Sequence, residues 1–476
     1  MRLNTKPAYP FGGLTFEGAP AARMSTEQAL RRSVMSCLLW EDEFYEDGQT
    51  IAARIVDLVG QADPDAVVAM IDEARNLQHL RHVPLLMVAA LAKRGGCGPQ
   101  VERAIVGAVR RADELAELLA IHAKVNDVAP SAVKKKIPAA MKRGLAAAFQ
   151  RFDEYALAKY DRAGAVRLRD VLFLCHAKPR DDAQAALWKR LVDGQLVTPD
   201  TWEVGLSTGG DKKATFERLL RDGKLGYLAL LRNLRNMVDA GCDLDLVRSA
   251  IVARRGAERV LPFRFVAAAR ACPQLEPEID AALCEVVATA PRLVGRTVVL
   301  VDLSGSMENQ LSAKSDMKRL DAAAALASVI HAESLRVFSF SSQNAPNVPG
   351  AGWGRPQQIK VVEHPPRRGM AGVDAIITGH GARGGTFLFS SVQRINETVD
   401  YDRIIVITDE QASGSHILGS DGDPVRALPA PKGRGYMINV ASAQRGVGYG
   451  PWQHIDGWSE NVIRFIVEAE NVAGRT

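Results

Sequence analysis

A chain of 476 residues is longer than one hydrophobic core ordinarily supports, so two or three domains are expected. With 47% hydrophobic and 24% charged residues the composition excludes a disordered chain, and a net charge of +5 does not by itself announce nucleic acid. The six cysteines, Cys37, Cys97, Cys175, Cys242, Cys272 and Cys284, form no CxxC pair and no zinc spacing, which points to reduced, mostly buried thiols and a cytoplasmic location.

The amino-terminal residues lack an apolar signal core, and the longest apolar run, Val83 to Ala92, is too short to span a bilayer, so no membrane role is expected. Residues 1 to about 25 are rich in Gly and Pro and read as an extended arm. Ser25-Thr26-Glu27-Gln28 then forms a capping-box pattern before a helical face of Ala29, Leu30, Val34, Leu38 and Leu39. Amphipathic helices follow to about 290, including Ile51 to Val59, Val67 to Ala74, Val83 to Leu91, Val101 to Val109 and Leu115 to Ile121. Short turns at Asp63-Pro64 and Gly95 to Pro99 join them, which predicts a degenerate HEAT-like array.

Positive charge in this half is clustered. Lys134, Lys135, Lys136, Lys142 and Arg143 are followed by Arg167, Arg169, Lys178 and Arg180, then by Lys212, Lys213, Arg218, Arg221, Arg232 and Arg235. Each cluster alone reads as a solvated helix face; together on a curved array they would form a phosphate-binding surface. His79 and His82 are three apart and read as surface residues, and His176, ending the apolar run Val171 to Cys175, reads as a helix C-terminal histidine.

From Val298 the pattern changes to alternating strands and helices, which predicts a doubly wound parallel sheet in an α/β domain over 291–476, after an all-α domain over 1–290. Val298 to Val301 is a buried strand ending in Asp302, Ser304 and Ser306. Ile404 to Thr408 is a second, ending in Asp409, and Gly384-Gly385-Thr386 opens a helix. Asp302, Ser304, Ser306, Thr386 and Asp409 therefore converge at one sheet edge in the pattern of a metal-ion-dependent adhesion site. Oxygen ligands suit a hard divalent cation such as Mg2+, the hydroxyls binding directly and one or both aspartates through water. The open ligand position would accept a carboxylate from a partner protein. Gly379-His380-Gly381-Ala382-Arg383-Gly384 formally matches a dinucleotide-binding loop after the apolar Val373 to Ile377, but is better explained as the loop presenting Thr386. Ser304 stands where a haloacid-dehalogenase phosphatase needs a second Asp.

Glu43-Phe44-Tyr45-Glu46-Asp47-Gly48, Lys159-Tyr160, Asp170 to Pro179 and Asp302-Leu303-Ser304-Gly305-Ser306 occur in an order and spacing that resembles the Ro autoantigen family, in its bacterial form. That family joins a ring of HEAT-like helices, the TROVE module, to a von Willebrand factor A domain. The resemblance implies a monomeric, non-enzymatic RNA-binding protein. It would scaffold a Y-like small noncoding RNA on the outer helical surface, capture ends of misfolded or single-stranded RNA, and act with a partner exoribonuclease in RNA quality control. It carries the RNA surface onto Lys159, Arg162, His176 and Lys178. One departure is Phe173, where family members often have a basic residue. The alternative function is a metal-dependent protein-interaction adaptor of von Willebrand factor A type.

Overall fold

The computed structural model describes residues 13–35, 48–128, 137–161, 164, 166–207, 210–257, 260, 262–289, 292–311, 317–344, 357–414, 423–441, 443–457, 466–467 and 470. The chain divides into two compact units, one of Thr26–Trp40 and Gly48–Asp211, the other of Met1–Ser25, Glu41–Asp47 and Lys212–Thr476.

The regular elements among the described residues of the first unit are helices: α1 (Thr26–Met35), α2 (Gly48–Gln61), α3 (Pro64–Asn76), α4 (His82–Arg94), α5 (Gly98–Ala108), α6 (Asp113–Val125), α7 (Ala139–Phe149), α8 (Glu154–Tyr160), α9 (Leu168–Cys175), α10 (Asp182–Asp193) and α11 (Trp202–Ser207). Local chemistry sets several starts. Asp63 accepts from Ala66 N at 2.9 Å with Pro64 opening α3, and Asp181 accepts from Gln184 N at 2.7 Å ahead of α10. Such caps satisfy backbone donors that the first turn leaves open. Most of these helices pack on their second neighbour: α2 on α4, α3 on α5, α4 on α6, α5 on α7, α7 on α9, while α6 also packs on α9. This alternation is the HEAT-like stacking that the periodicity predicts. His79 and His82 do not share a helix face, because His79 has φ 54 in the α3–α4 turn and His82 begins α4.

The second unit begins with the same alternation, in α12 (Lys212–Arg221), α13 (Tyr227–Asp239), α14 (Leu244–Ala253), α15 (Pro262–Ala271) and α16 (Glu276–Ala288). The α/β portion follows as β1 (Leu293–Asp302), α17 (Arg319–Val329), β2 (Ala332–Asn344), β3 (Gln357–His364), α18 (Gly369–His380), α19 (Leu388–Thr398), β4 (Arg403–Thr408), β5 (Arg434–Asn439) and β6 (Gln453–Asp456). The change from helix to strand falls near 290, as the sequence suggests, but packing divides the chain at Lys212. The reason is side-by-side burial: α15 packs on α17, α16 packs on α18, and Asp280 of α16 accepts from Met370 N at 2.7 Å.

The sheet order is β3-β2-β1-β4-β5-β6. It is parallel except for β3, which pairs antiparallel with β2, so the expected all-parallel sheet is a mixed one with an antiparallel edge. The central strand β1 is buried from Thr297 to Asp302, as a strand covered on both faces requires. Val373 to Ile377 lies inside α18 rather than in a strand, so the glycine-rich loop follows a helix and lacks the strand–turn–helix context of a dinucleotide site. Among the described cysteines, Cys97, Cys175, Cys242 and Cys272 are buried thiols in no disulfide and Cys284 is half-buried. Cys37 lies outside the described residues, as does most of the expected terminal helix over 460–469.

Candidate metal centre and nucleic-acid face

Topology brings three loops together. Strands β1 and β4 are parallel neighbours, so Asp302 and Asp409 leave the sheet at the same edge. The third loop is tied to the first by Gly305 N donating to Gly384 O at 2.9 Å, and to β2 by Ser342 N donating to Gly385 O at 2.8 Å. Gly384 has to be glycine, since a Cβ there would lie 2.4 Å from Ser342 Oγ and 2.6 Å from Ser342 O.

Asp302, Thr386 and Asp409 are fully buried, and Ser304 and Ser306 nearly so. Asp302 is held by Ser304 N at 2.9 Å on Oδ1 and by the Thr408 hydroxyl at 2.6 Å on Oδ2, and the Ser304 and Ser306 hydroxyls are 3.2 Å apart. Burial pushes the Asp302 carboxyl well above the usual range, and the charge of Asp409 pushes it further. Arg319, itself buried, stands 3.8 Å from Asp409 Oδ2, at the limit of an ion pair. The Thr386 hydroxyl makes no hydrogen bond of ordinary geometry, although it lies near enough to the Glu17 carboxylate to favour its charged form. Two buried carboxylates and three hydroxyls, of which Thr386 Oγ1 is an orphan, fit a hard divalent cation: the cation would offset the negative charge and give Thr386 Oγ1 a partner.

Two groups that sequence reasoning missed adjoin this edge. The first is Glu17, at the tip of the amino-terminal arm, whose Oε2 accepts from Ser413 Oγ at 2.6 Å and from Thr386 N at 3.4 Å. Burial raises its pKa; the Ser413 hydroxyl opposes that shift and the nearby Asp409 charge adds to it. The second is His454 on β6, nearly buried between carboxylates. Its Nε2 bonds Glu410, and its Nδ1 lies 3.2 Å from Asp456 Oδ2. Its ring stacks on Tyr449 with centroids 4.2 Å apart. Burial alone would lower this imidazole's pKa, but Asp456 and Glu410 outweigh it and raise the value to about 9. Glu410 carries a φ of 60, a strained conformation for a side-chain-bearing residue beside Asp409.

The basic residues are distributed differently. Lys134, Lys135, Lys136 and Arg162 lie outside the described residues. Arg169 and Phe173 are one turn apart on α9 and His176, its left-handed cap, lies one further turn on, so all three follow one exposed face. Lys178 and Arg167 are exposed beside them, and Gln150 at the end of α7 donates to Lys178 O at 2.8 Å. Phe173 is 60% exposed, unusual for so large an apolar ring. Arg143 on α7 is committed to Glu102 at 2.8 Å, and Lys142 is half-buried. Lys159 stands 3.9 Å from Glu203 and 5.7 Å from the Tyr160 ring centre. Among the other aromatics, Phe149 and Phe152 are core, whereas Tyr155 is exposed.

The TROVE-domain family model matches residues 186–324, a stretch that runs from α10 through the helices of the second unit, β1, and the loop of Asp302, Ser304 and Ser306. That stretch is similar to a TROVE domain. The chain is 34% identical over 100 residues to telomerase protein component 1 of Mus musculus and 33% over 90 residues to that of Rattus norvegicus. Those stretches are 19% and 18% of this chain and only 4% and 3% of the relatives' lengths. The fold matches the crystal structure of the Ro (RSR) protein of Deinococcus radiodurans with a TM-score of 0.58, covering 94% of this chain and 100% of that one at 17% identity.

Within this chain, Asp302, Ser304, Ser306, Thr386 and Asp409 meet at one sheet edge, while Arg167, Arg169, His176 and Lys178 cluster on and beside α9. Of the missed residues, His454 sits in β6, too short a strand to register in the sequence pattern, and Glu17 contacts residues about four hundred positions away. No local signal carries a pairing of that range.

Proposed function

We propose that this chain is an RNA-binding protein of the bacterial Ro type. Its α9 face would hold a Y-like small noncoding RNA, and the chain would capture ends of misfolded RNA for a partner exoribonuclease, performing no chemistry itself. The observation that carries this reading is the exposed run of Arg169, Phe173 and His176 flanked by Arg167 and Lys178, on a chain with a TROVE-like stretch. Cations there would neutralise phosphates, and an exposed ring among them suits stacking on an unpaired base. The test is binding of the purified chain to a small structured RNA at rising salt. Affinity should fall steeply with salt, and the double variant Lys159→Glu, His176→Ala should bind more weakly; salt-insensitive binding, or none, would sink the proposal.

We also assign to the loops of Asp302, Ser304, Ser306, Thr386 and Asp409 a divalent cation of the Mg2+ kind. The hydroxyls would ligate it and the aspartates would act through water. Bound there, it would supply a Lewis-acidic position for a carboxylate. The orphan Thr386 hydroxyl favours this site, and with it the second reading of the chain as a metal-dependent protein-interaction adaptor. Asp302→Ala should then abolish capture of a protein partner and leave RNA binding intact. Loss of that partner on RNase treatment alone would remove the adaptor reading.

A further inference from the structure

An adhesion-type metal site takes its last ligand from outside, usually as a carboxylate, so any acid already standing at its mouth bears on who can bind. Here one stands there. Thr15 to Gly18 form a turn closed by Gly18 N donating to Thr15 O at 3.1 Å, with Glu17 at its tip. Ser413 Oγ accepts from Thr386 N at 3.1 Å and donates to Glu17 Oε2 at 2.6 Å, so one hydroxyl links the arm's acid to the loop of a candidate ligand. Glu17 is close enough to Asp409 for their charges to interact.

The turn is seated by more than that acid. The Thr15 hydroxyl donates to Ala412 O at 2.7 Å, Phe16 N to Gln411 Oε1 at 2.8 Å, and Gly414 N to Glu17 O at 2.8 Å. Every one of these partners lies on the segment that follows Asp409. The fit is tight: a Cβ on Gly414 would fall 2.0 Å from Gly18 O. Holding a half-buried acid beside the buried Asp409 costs free energy unless something positive rewards it. Thr15, Phe16 and Gly414 hold the arm without any need for that acid. A turn meant only to cover the loop would be served as well by a neutral residue at 17.

We propose that Glu17 is the site's own carboxylate ligand, completing the cation's oxygen set in cis and keeping out a carboxylate from another protein until the arm is displaced. The proposal rests on the divalent-cation reading of the site. Coordination forms between a Glu17 oxygen and the cation with no bond broken in the chain, so displacement of the arm is reversible. Glu17 therefore sets both how tightly the cation is held and how open the site is to acidic partners.

The test is Mn2+ binding to the full chain, followed by calorimetry and by the free-ion paramagnetic signal, in wild type, Glu17→Gln and Asp302→Ala. Gln keeps an oxygen to accept from Ser413 and removes the charge. Glu17→Gln should weaken Mn2+ by at least about tenfold while leaving the metal-free melting temperature unchanged or raised. With Mn2+ bound, it should also take up acetate more tightly than wild type does. Mn2+ affinity equal in wild type and Glu17→Gln, with loss in Asp302→Ala, overturns the role of Glu17 alone. Absence of Mn2+ binding to wild type overturns the metal reading and this proposal with it. If Glu17→Gln melts lower without metal, Thr15→Val decides. It loosens the arm and keeps the acid, so an equal loss of Mn2+ affinity in that variant would make Glu17 a structural pin and overturn the proposal.

Discussion

His454 gives the sharpest electrostatic prediction. Its imidazole is 7% exposed, bonded to Glu410 and beside Asp456, with a pKa raised from 6.5 to about 9. A folded-state pKa above the unfolded one means that the fold binds the proton more tightly. The contribution is therefore fully present below pH 6.5 and is lost as pH rises through about 9. At 1.36 kcal/mol for each pH unit between the two values, it amounts to roughly 3 kcal/mol. His454→Gln removes the cation and leaves two buried carboxylates facing each other, a loss of about 3–5 kcal/mol near neutral pH. The assay is urea unfolding of wild type and His454→Gln at several values from about pH 6 to about pH 9.5. The gap between them should be widest at the acid end and shrink by roughly 3 kcal/mol toward the alkaline end. A constant gap across that range would refute the assignment of a charged imidazole.

On the helical unit, the double variant Arg169→Glu, Lys178→Glu should lower RNA affinity and flatten the plot of log affinity against log salt by about two contacts' worth of slope. Filter binding at stepped ionic strength reads this, and an unchanged slope would place the phosphates elsewhere. Phe173→Ala should leave the melting temperature within about half a kcal/mol equivalent, since the ring is exposed. Single-stranded RNA binding should fall by about 1–3 kcal/mol, as fluorescence anisotropy with an unstructured oligonucleotide would show. In the α/β unit, Mg2+ at about a hundred times its dissociation constant should stabilise wild type by roughly 2.7 kcal/mol. Thermal melts of Asp302→Asn should show no such gain; an equal gain in both proteins would move the cation to another place.

Much of this was legible in the sequence because the signals were local. Val298 to Asp302 and Ile404 to Asp409 read as buried strands with oxygen-bearing ends, since a parallel strand covered on both faces needs an unbroken apolar run. The convergence of Asp302, Thr386 and Asp409 followed from the rule that such strands end at one edge. Val373 to Ile377 misled because its four apolar residues around Asp374 suit a buried helix as well as a strand; α18 packs on α17 and on β2 and β3, with Val373 and Ile376 buried. The antiparallel β3 edge was illegible, for strand direction depends on a connection over 345–356 whose residues carry no periodic signal. The division at Lys212 was hidden too. Helices on either side of it look alike in sequence and differ only in what they pack against.

The arm that carries Glu17 and the loop that receives it are 396 residues apart at Ser413. On a ribosome adding roughly 5–20 residues per second, Glu17 emerges some 20–80 s before its partner exists. A helical unit of 26–211 can form in that interval, and so can β1 with Asp302. The oxygen cluster, by contrast, is half-built until β4 and the segment after it emerge. The arm's docking then reports that synthesis has passed that loop, and a cation held with its help would be held only from that point on.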